Sequence, residues 1–176
     1  MQWDGEKTEK HFFNEEWKNI YENLEAKLKD YEVNVTAYDD QRTKAIVRTG
    51  SDRLPGKYYL YDFAGKGTTE AANAYPWIEE NNMAVMNPIT YTSRYGLTIH
   101  GYLTLPKGSD GKNLPVVVNP HGGPWARDGW GYNSEAQFLA NRGYAVLQMN
   151  FRGSTGYRKK FWLASFKEWG KKCRTM

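Results

Sequence analysis

The run Leu114-Pro-Val-Val-Val-Asn-Pro-His-Gly-Gly-Pro-Trp125 joins a wholly apolar, β-branched segment to a glycine turn, and that junction restricts the fold more than any other stretch. Val116 to Val118 reads as a strand buried on both faces of a parallel sheet, since a half-exposed strand would alternate apolar with polar residues. About thirty residues later, Tyr144-Ala-Val-Leu-Gln-Met-Asn-Phe-Arg-Gly-Ser-Thr-Gly-Tyr157 repeats the plan. Between the two, Ser134 to Arg142 reads as a helix that Gly143 ends. Strand, helix and strand in this order make a βαβ unit and an α/β sheet.

Upstream the pattern is different. Trp17, Ile20, Tyr21, Leu24 and Leu28 form one apolar stripe of a helix over Asn14 to Lys29, with Asn14 as N-cap and Glu15 and Glu16 in the first turn. Tyr31 to Tyr38, Thr43 to Thr49 and Lys57 to Phe63 then predict three strands of an antiparallel meander, too small to be an independent domain. Gly65 to Thr69 reads as a loop, and Ala71 to Asn87 shows no period and suits a connector. The organisation expected is therefore two parts, residues 1–85 and residues 86–176. In the second, Ile89 to Ser93 and Leu97 to Leu105 form a hairpin around Arg94-Tyr-Gly96, a polar loop covers 106–113, and Phe161 to Trp169 is a final helix.

Composition excludes several classes. With 40% hydrophobic and 15% aromatic residues the chain can build a core, and no apolar run approaches the length of a membrane span. Lys and Arg concentrate after Tyr157, but no nucleic-acid motif surrounds them and the cluster reads as a solvated helix face. Neither nucleic acid nor membrane is expected as a partner. Cys173 is the one cysteine, and His11, His100 and His121 are too far apart for a local metal motif, so no metal or cofactor is expected.

The chemistry lies in the glycine turn. Two successive glycines expose backbone N–H groups, and such donors stabilise the tetrahedral oxyanion of acyl transfer by about 3–4 kcal/mol each. The same residues also suit a plain tight turn. Ser154 is not a nucleophile candidate, because an elbow needs Gly-x-Ser-x-Gly and Arg152 stands two residues before it.

Asn119-Pro-His-Gly-Gly-Pro-Trp125 followed by Asn150-Phe-Arg-Gly-Ser-Thr-Gly-Tyr157 resembles the prolyl oligopeptidase family of serine peptidases, in its acylaminoacyl-peptidase and dipeptidyl-peptidase-like branch. Asp52-Arg-Leu-Pro-Gly-Lys-Tyr-Tyr-Leu-Tyr-Asp62 resembles the last propeller portion of those enzymes, and Pro76-Trp-Ile78 with Met83-Ala-Val-Met86 their crossing into the hydrolase domain. The resemblance implies the N-terminal part of an α/β hydrolase preceded by the last strands of a β-propeller, and a Ser-Asp-His triad that cleaves short peptides through an acyl-enzyme. It implies Gly122 or Gly123, with Gly123 favoured and Pro124 fixing its turn, as first oxyanion donor. His121, Trp125 and Arg152 are expected to face substrate, His121 as a turn residue and not as the base, and Trp130 is a further candidate for the cleft. Tyr95 stands where the family carries aspartate in an Asp-Gly turn, and Arg158 replaces a glycine after Gly156-Tyr157.

The family continues with a nucleophile elbow, an acid and a base that these residues do not contain, so the chain alone is expected to be inactive. Its tail, Lys171-Lys-Cys-Arg-Thr-Met176, is what loss of one base from codons for Lys-Lys-Met-Gln-Asp-Asp-Val would give, and the expectation is a frameshift in the gene or its sequencing. Met1 is expected to be internal to a longer parent. The family's strand order leaves Val116 to Val118 at an unpaired edge that favours aggregation. The alternative is a non-catalytic peptide-binding protein. An esterase on the same fold fits less well, because of the propeller-like segment.

Overall fold

Asn14 starts the first helix in the way its side chain allows: Oδ1 accepts the Trp17 N–H at 3.0 Å, and the two glutamates behind it occupy the positive end of the helix. The computed structural model describes residues 2–123 and 125–171, with side chains from Gly5 onward. Pro124 and the tail from Lys172, including Cys173, lie outside the described residues. A short hairpin of β1 (Gln2–Asp4) and β2 (Thr8–Lys10) precedes α1 (Glu15–Lys27). Two compact units follow from the packing, Thr8–Met83 with Gly131–Asn133, and Trp3–Lys7 with Ala84–Trp130 and Ser134 onward.

In the first unit, β3 (Glu32–Tyr38), β4 (Lys44–Gly50), β5 (Lys57–Asp62) and β6 (Thr68–Asn73) form one antiparallel sheet in chain order. The alternation in β4 decides its faces, with Ala45, Val47 and Thr49 buried and Lys44 and Arg48 exposed. The stripe of α1 packs Leu24 and Leu28 against Val33, Ala45, Val47 and Tyr61, with Ile20 at the margin. Asp39 closes the β3–β4 turn by accepting the N–H groups of Thr43 and Lys44, each at 2.7 Å.

The fourth strand corrects the sequence expectation of a loop and connector. Thr68-Thr-Glu-Ala-Ala-Asn73 carries little β propensity, and most of its side chains are exposed. Backbone pairing with β5 holds it at the edge of the sheet, through a register shift at Tyr58/Tyr59. A strand that buries almost nothing leaves no periodic trace.

The second unit holds β7 (Met86–Thr92), β8 (Thr98–Thr104), β9 (Val116–Val118), α2 (Ser134–Asn141), β10 (Ala145–Asn150) and α3 (Arg158–Leu163). Sheet order is β7-β8-β10-β9, with β10 antiparallel to β8 and parallel to β9. β7 begins earlier than the hairpin reading placed it and includes Pro88, which an edge strand tolerates because it need not donate on its open side. Gly101 is required where β8 meets β10, since a Cβ there would lie 2.5 Å from the Gln148 carbonyl oxygen. Ile99, Met149 and Phe161 form the apolar centre, with Tyr91, Leu97 and Tyr157 against them.

Two expectations change here. The strand read as buried on both faces is half-exposed, with Val116 57% and Val118 51% exposed, because it pairs with β10 alone, at the edge expected from the strand order. The last helix starts at Arg158 and stops at Leu163, not Trp169, because Ser165 turns back, its Oγ donating to the Trp162 carbonyl at 2.8 Å, and Lys167 enters the left-handed region at φ 61°. Arg158 itself sits at φ 69°, where glycine is free and a side chain is strained.

Two stability measurements follow. Leu24→Ala should destabilise the first unit by about 2–5 kcal/mol in urea unfolding, whereas Glu22→Ala, on the exposed side of α1, should stay within about 0.5 kcal/mol. Arg158→Gly should raise stability by about 1 kcal/mol, and a loss would show that the left-handed backbone carries no strain there.

Candidate oxyanion-binding turn

β9 is extended by one more bond, Asn119 N–H to the Leu147 carbonyl at 2.8 Å, before the chain leaves the sheet at His121. Gly122 is exposed, and a Cβ on it would meet nothing within 4 Å. Gly123 sits at φ 125°, with an added Cβ only 3.0 Å from the Trp125 nitrogen, so its missing side chain is a requirement.

The imidazole of His121 bridges the turn to the loop after β10. Nδ1 lies 2.7 Å from the Gly122 carbonyl oxygen, and since a carbonyl only accepts, Nδ1 donates. Nε2 lies 2.8 Å from Ser154 Oγ, whose single hydroxyl proton is within reach of both Nε2 and the Phe151 carbonyl at 2.7 Å. The ring stacks on Phe151 with centroids 4.4 Å apart. Holding the Gly122 carbonyl has a geometric consequence. C=O and N–H point in opposite directions across a trans peptide, so the N–H of Gly123 is turned away from the His121 ring.

Behind the turn, the segment Ala126–Asp128 is fixed by the end of β10. Asn150, with no exposed surface, accepts the Asp128 N–H at 2.8 Å through Oδ1 and donates to the Asp128 carbonyl at 3.1 Å and to Tyr157 Oη at 2.7 Å through Nδ2. Thr155 N–H donates to the Ala126 carbonyl at 3.0 Å. Arg127 lies over the Tyr157 ring and donates to its hydroxyl at 3.0 Å and to the Gly5 carbonyl at 2.9 Å. Burial pushes the Tyr157 hydroxyl and the Asp128 carboxyl above their ordinary pKa values, with Arg127 opposing both.

The structure thus brings His121, Gly122 and Gly123 together with Ser154 and Phe151. Trp125 belongs to a neighbouring aromatic cluster with Trp162, Phe166 and Trp169, and it lines with Phe166, Lys167 and Trp169 an open recess of about 430 Å³. Arg152 lies over the ring of Tyr95, 5.5 Å from its centroid, at the hairpin turn whose Gly96 adopts φ 73°. Trp130 Nε1 donates to the Met86 carbonyl at 3.0 Å, and Lys7 covers its ring.

Asn150, Arg127, Asp128 and Tyr157 had no role in the sequence reading. One signal for Asn150 was present, a polar amide closing an otherwise buried strand, since such a group must find partners. Among the described residues, no three or more His, Cys, Asp or Glu side chains gather as metal ligands. No described helix is long and apolar enough to cross a membrane. Asn150→Ala should cost about 2 kcal/mol in chemical unfolding, because it strands the Asp128 N–H and removes one of the two donors to the Asp128 carbonyl, the other being Arg127 Nε. A cost below about 0.5 kcal/mol would mean that the clamp adds nothing.

Comparison with known proteins places this geometry. Residues 130–175 match the family model described as the prolyl oligopeptidase family. Dipeptidyl aminopeptidase BIII of Pseudoxanthomonas mexicana is 38% identical over 92% of the chain and 25% of its own length. Dipeptidyl peptidase family member 6 of Caenorhabditis elegans is 34% identical over 76% of the chain and 21% of its own length. The chain therefore spans no more than about a quarter of the curated relatives it matches. Pyrococcus horikoshii acylaminoacyl peptidase superposes with a TM-score of 0.60 at 25% identity, over 79% of this chain and 22% of that one.

Proposed function

Because the chain belongs to the prolyl oligopeptidase family, we propose that it is the portion of a serine peptidase that presents the first oxyanion donor to the carbonyl of a short peptide. The observation that carries this reading is the capture of the Gly122 carbonyl by His121 Nδ1. It fixes the peptide plane between Gly122 and Gly123, whose N–H, on Gly123, points away from the His121 ring on a backbone at φ 125° that a side chain would strain. A donor held in this way before reaction needs no reorganisation when negative charge develops on the substrate oxygen.

In this reading a serine hydroxyl, deprotonated by a histidine, attacks the peptide carbonyl, and the amine leaves with the proton returned from that histidine. Gly123, with Gly122 beside it, steadies the tetrahedral oxyanion before and after that loss. His121 acts by orienting the turn and Arg152 by shaping the approach to it. The Trp125 recess takes an apolar part of the peptide. No Gly-x-Ser-x-Gly occurs within the 176 residues, so these residues by themselves should not hydrolyse peptides.

Residues 1–85 are in this proposal the end of a β-propeller with its connector, and the four-stranded antiparallel meander β3–β6 supports that, since propeller blades are sheets of this kind. Residues 86–176 are the opening part of the α/β-hydrolase domain, supported by the parallel β9–α2–β10 unit.

The decisive experiment grafts Gly123→Ala and Gly122→Ala separately into a longer protein that carries these residues together with a nucleophile elbow, with dipeptidyl and acylaminoacyl anilides as substrates. Gly123→Ala should lower kcat by about 10²–10³-fold with little change in KM, and Gly122→Ala by much less. Equal kcat for the Gly123 variant and the parent would remove the oxyanion assignment. Turnover by the 176-residue chain alone would overturn the division of labour proposed for it.

A further inference from the structure

On the sheet face that carries Tyr102, Thr104, Val146 and Gln148, three polar side-chain atoms are buried without a hydrogen-bond partner: Thr104 Oγ1, Gln148 Oε1 and Asp128 Oδ2. Gln148 is 2% exposed and Thr104 1%. Tyr102 lies opposite Gln148 and Thr104 opposite Val146, so Thr104 and Gln148 are diagonal neighbours, about 7–8 Å apart at Cα.

Gln148 Nε2 donates to Asp128 Oδ1 at 3.2 Å. The atoms left over on that pair, Gln148 Oε1 and Asp128 Oδ2, would both be pure acceptors beside an ionised Asp128, and neither has a donor. One proton on Oδ2 satisfies both. A carboxylic acid and a primary amide are complementary planar groups, each with one donor next to one acceptor.

We propose that Asp128 is a neutral carboxylic acid in the folded protein, closed on the Gln148 amide by a second hydrogen bond in which Oδ2–H donates to Gln148 Oε1, and that this pair seats the segment after the glycine turn. The proton is the ordinary carboxyl proton, retained on folding, and no other group gains or loses one. The charged and titratable groups around the pair are Arg127 on the same segment, His121 on the turn before it and Tyr157 on the loop after β10. Arg127 donates to the Gly5 carbonyl, the Asp128 carbonyl and Tyr157 Oη. Burial is the largest influence on the carboxyl and pushes its pKa up, while His121, the Gln148 bond and Arg127 pull it down.

The sign of the pH dependence follows. Above the ordinary carboxylate pKa the unfolded chain has lost this proton and the folded protein keeps it, so the stabilisation is complete at low pH and is lost as pH rises through the raised folded value. Ionisation then places two buried acceptors face to face and loosens Asp128 beneath the turn.

Thermal unfolding of the full chain and of Asp128→Asn from about pH 4 to about pH 8 tests this. Asparagine keeps the planar pairing with an N–H in place of O–H. The variant should match the parent at the acidic end and hold its Tm where the parent's falls. A variant whose stability relative to the parent stays level or falls as pH rises overturns the proposal. If the variant does not fold, the carboxyl ¹³C shift of Asp128 in the unmodified chain decides: it should keep its protonated position above the ordinary carboxylate pKa, and an ionised position there is equally fatal. Neither readout depends on hydrolysis.

Discussion

The two hydrogen bonds between the Asn150 amide and the Asp128 backbone are the contact on which the rest of the candidate site depends. They tie an irregular loop to the last residue of β10, a strand paired on both sides. A loop otherwise pays for its order with its own conformational entropy; here the rigid strand supplies an anchor at the point where the chain returns from the glycine turn. Tyr157 joins the same amide, so the loops after β9 and after β10 share one fixed point.

From that point the geometry of the turn follows by short steps. The Thr155–Ala126 bond draws the second loop against the first, which brings Ser154 under His121. Ser154 and Phe151 set the plane of the imidazole, and the imidazole holds the Gly122 carbonyl. The direction of the Gly123 N–H is thus determined through a chain of contacts in which neither glycine contributes more than backbone. The first unit is held together differently. Its order comes from apolar burial of α1 on β3–β5, a non-directional force that needs only a correct stripe and a correct face.

That contrast explains what could be read in advance. The N-cap and stripe of α1, the three alternating strands, the β7–β8 hairpin and the βαβ unit were legible because each rests on local propensity or periodic burial. β6 was not, because Thr68–Asn73 buries almost nothing and is specified by the backbone of β5. The end of α3 was not, because one serine bonding back to Trp162 outweighed the helical spacing of Phe161, Trp162, Phe166 and Trp169. For the site, the glycine turn and His121 stood out, whereas the partners of Arg152 and Trp130, Tyr95 and the Met86 carbonyl, are distant in sequence and left no local signal.

The sequence by itself determined that a β-branched strand runs into paired glycines, that the same plan recurs after one helix, and that the motifs resemble those of one peptidase family. These are properties of neighbouring residues, set by steric freedom at glycine and by apolar patterning. Only the tertiary structure decided which N–H of the turn is presented and that Asn150 and Ser154 govern it. Each of these depends on partners some twenty to thirty residues apart, as with Asn150 and Asp128 or Ser154 and His121. Hydrogen bonds are directional and short-ranged, so which groups meet is unknown until the sheet has brought the loops together.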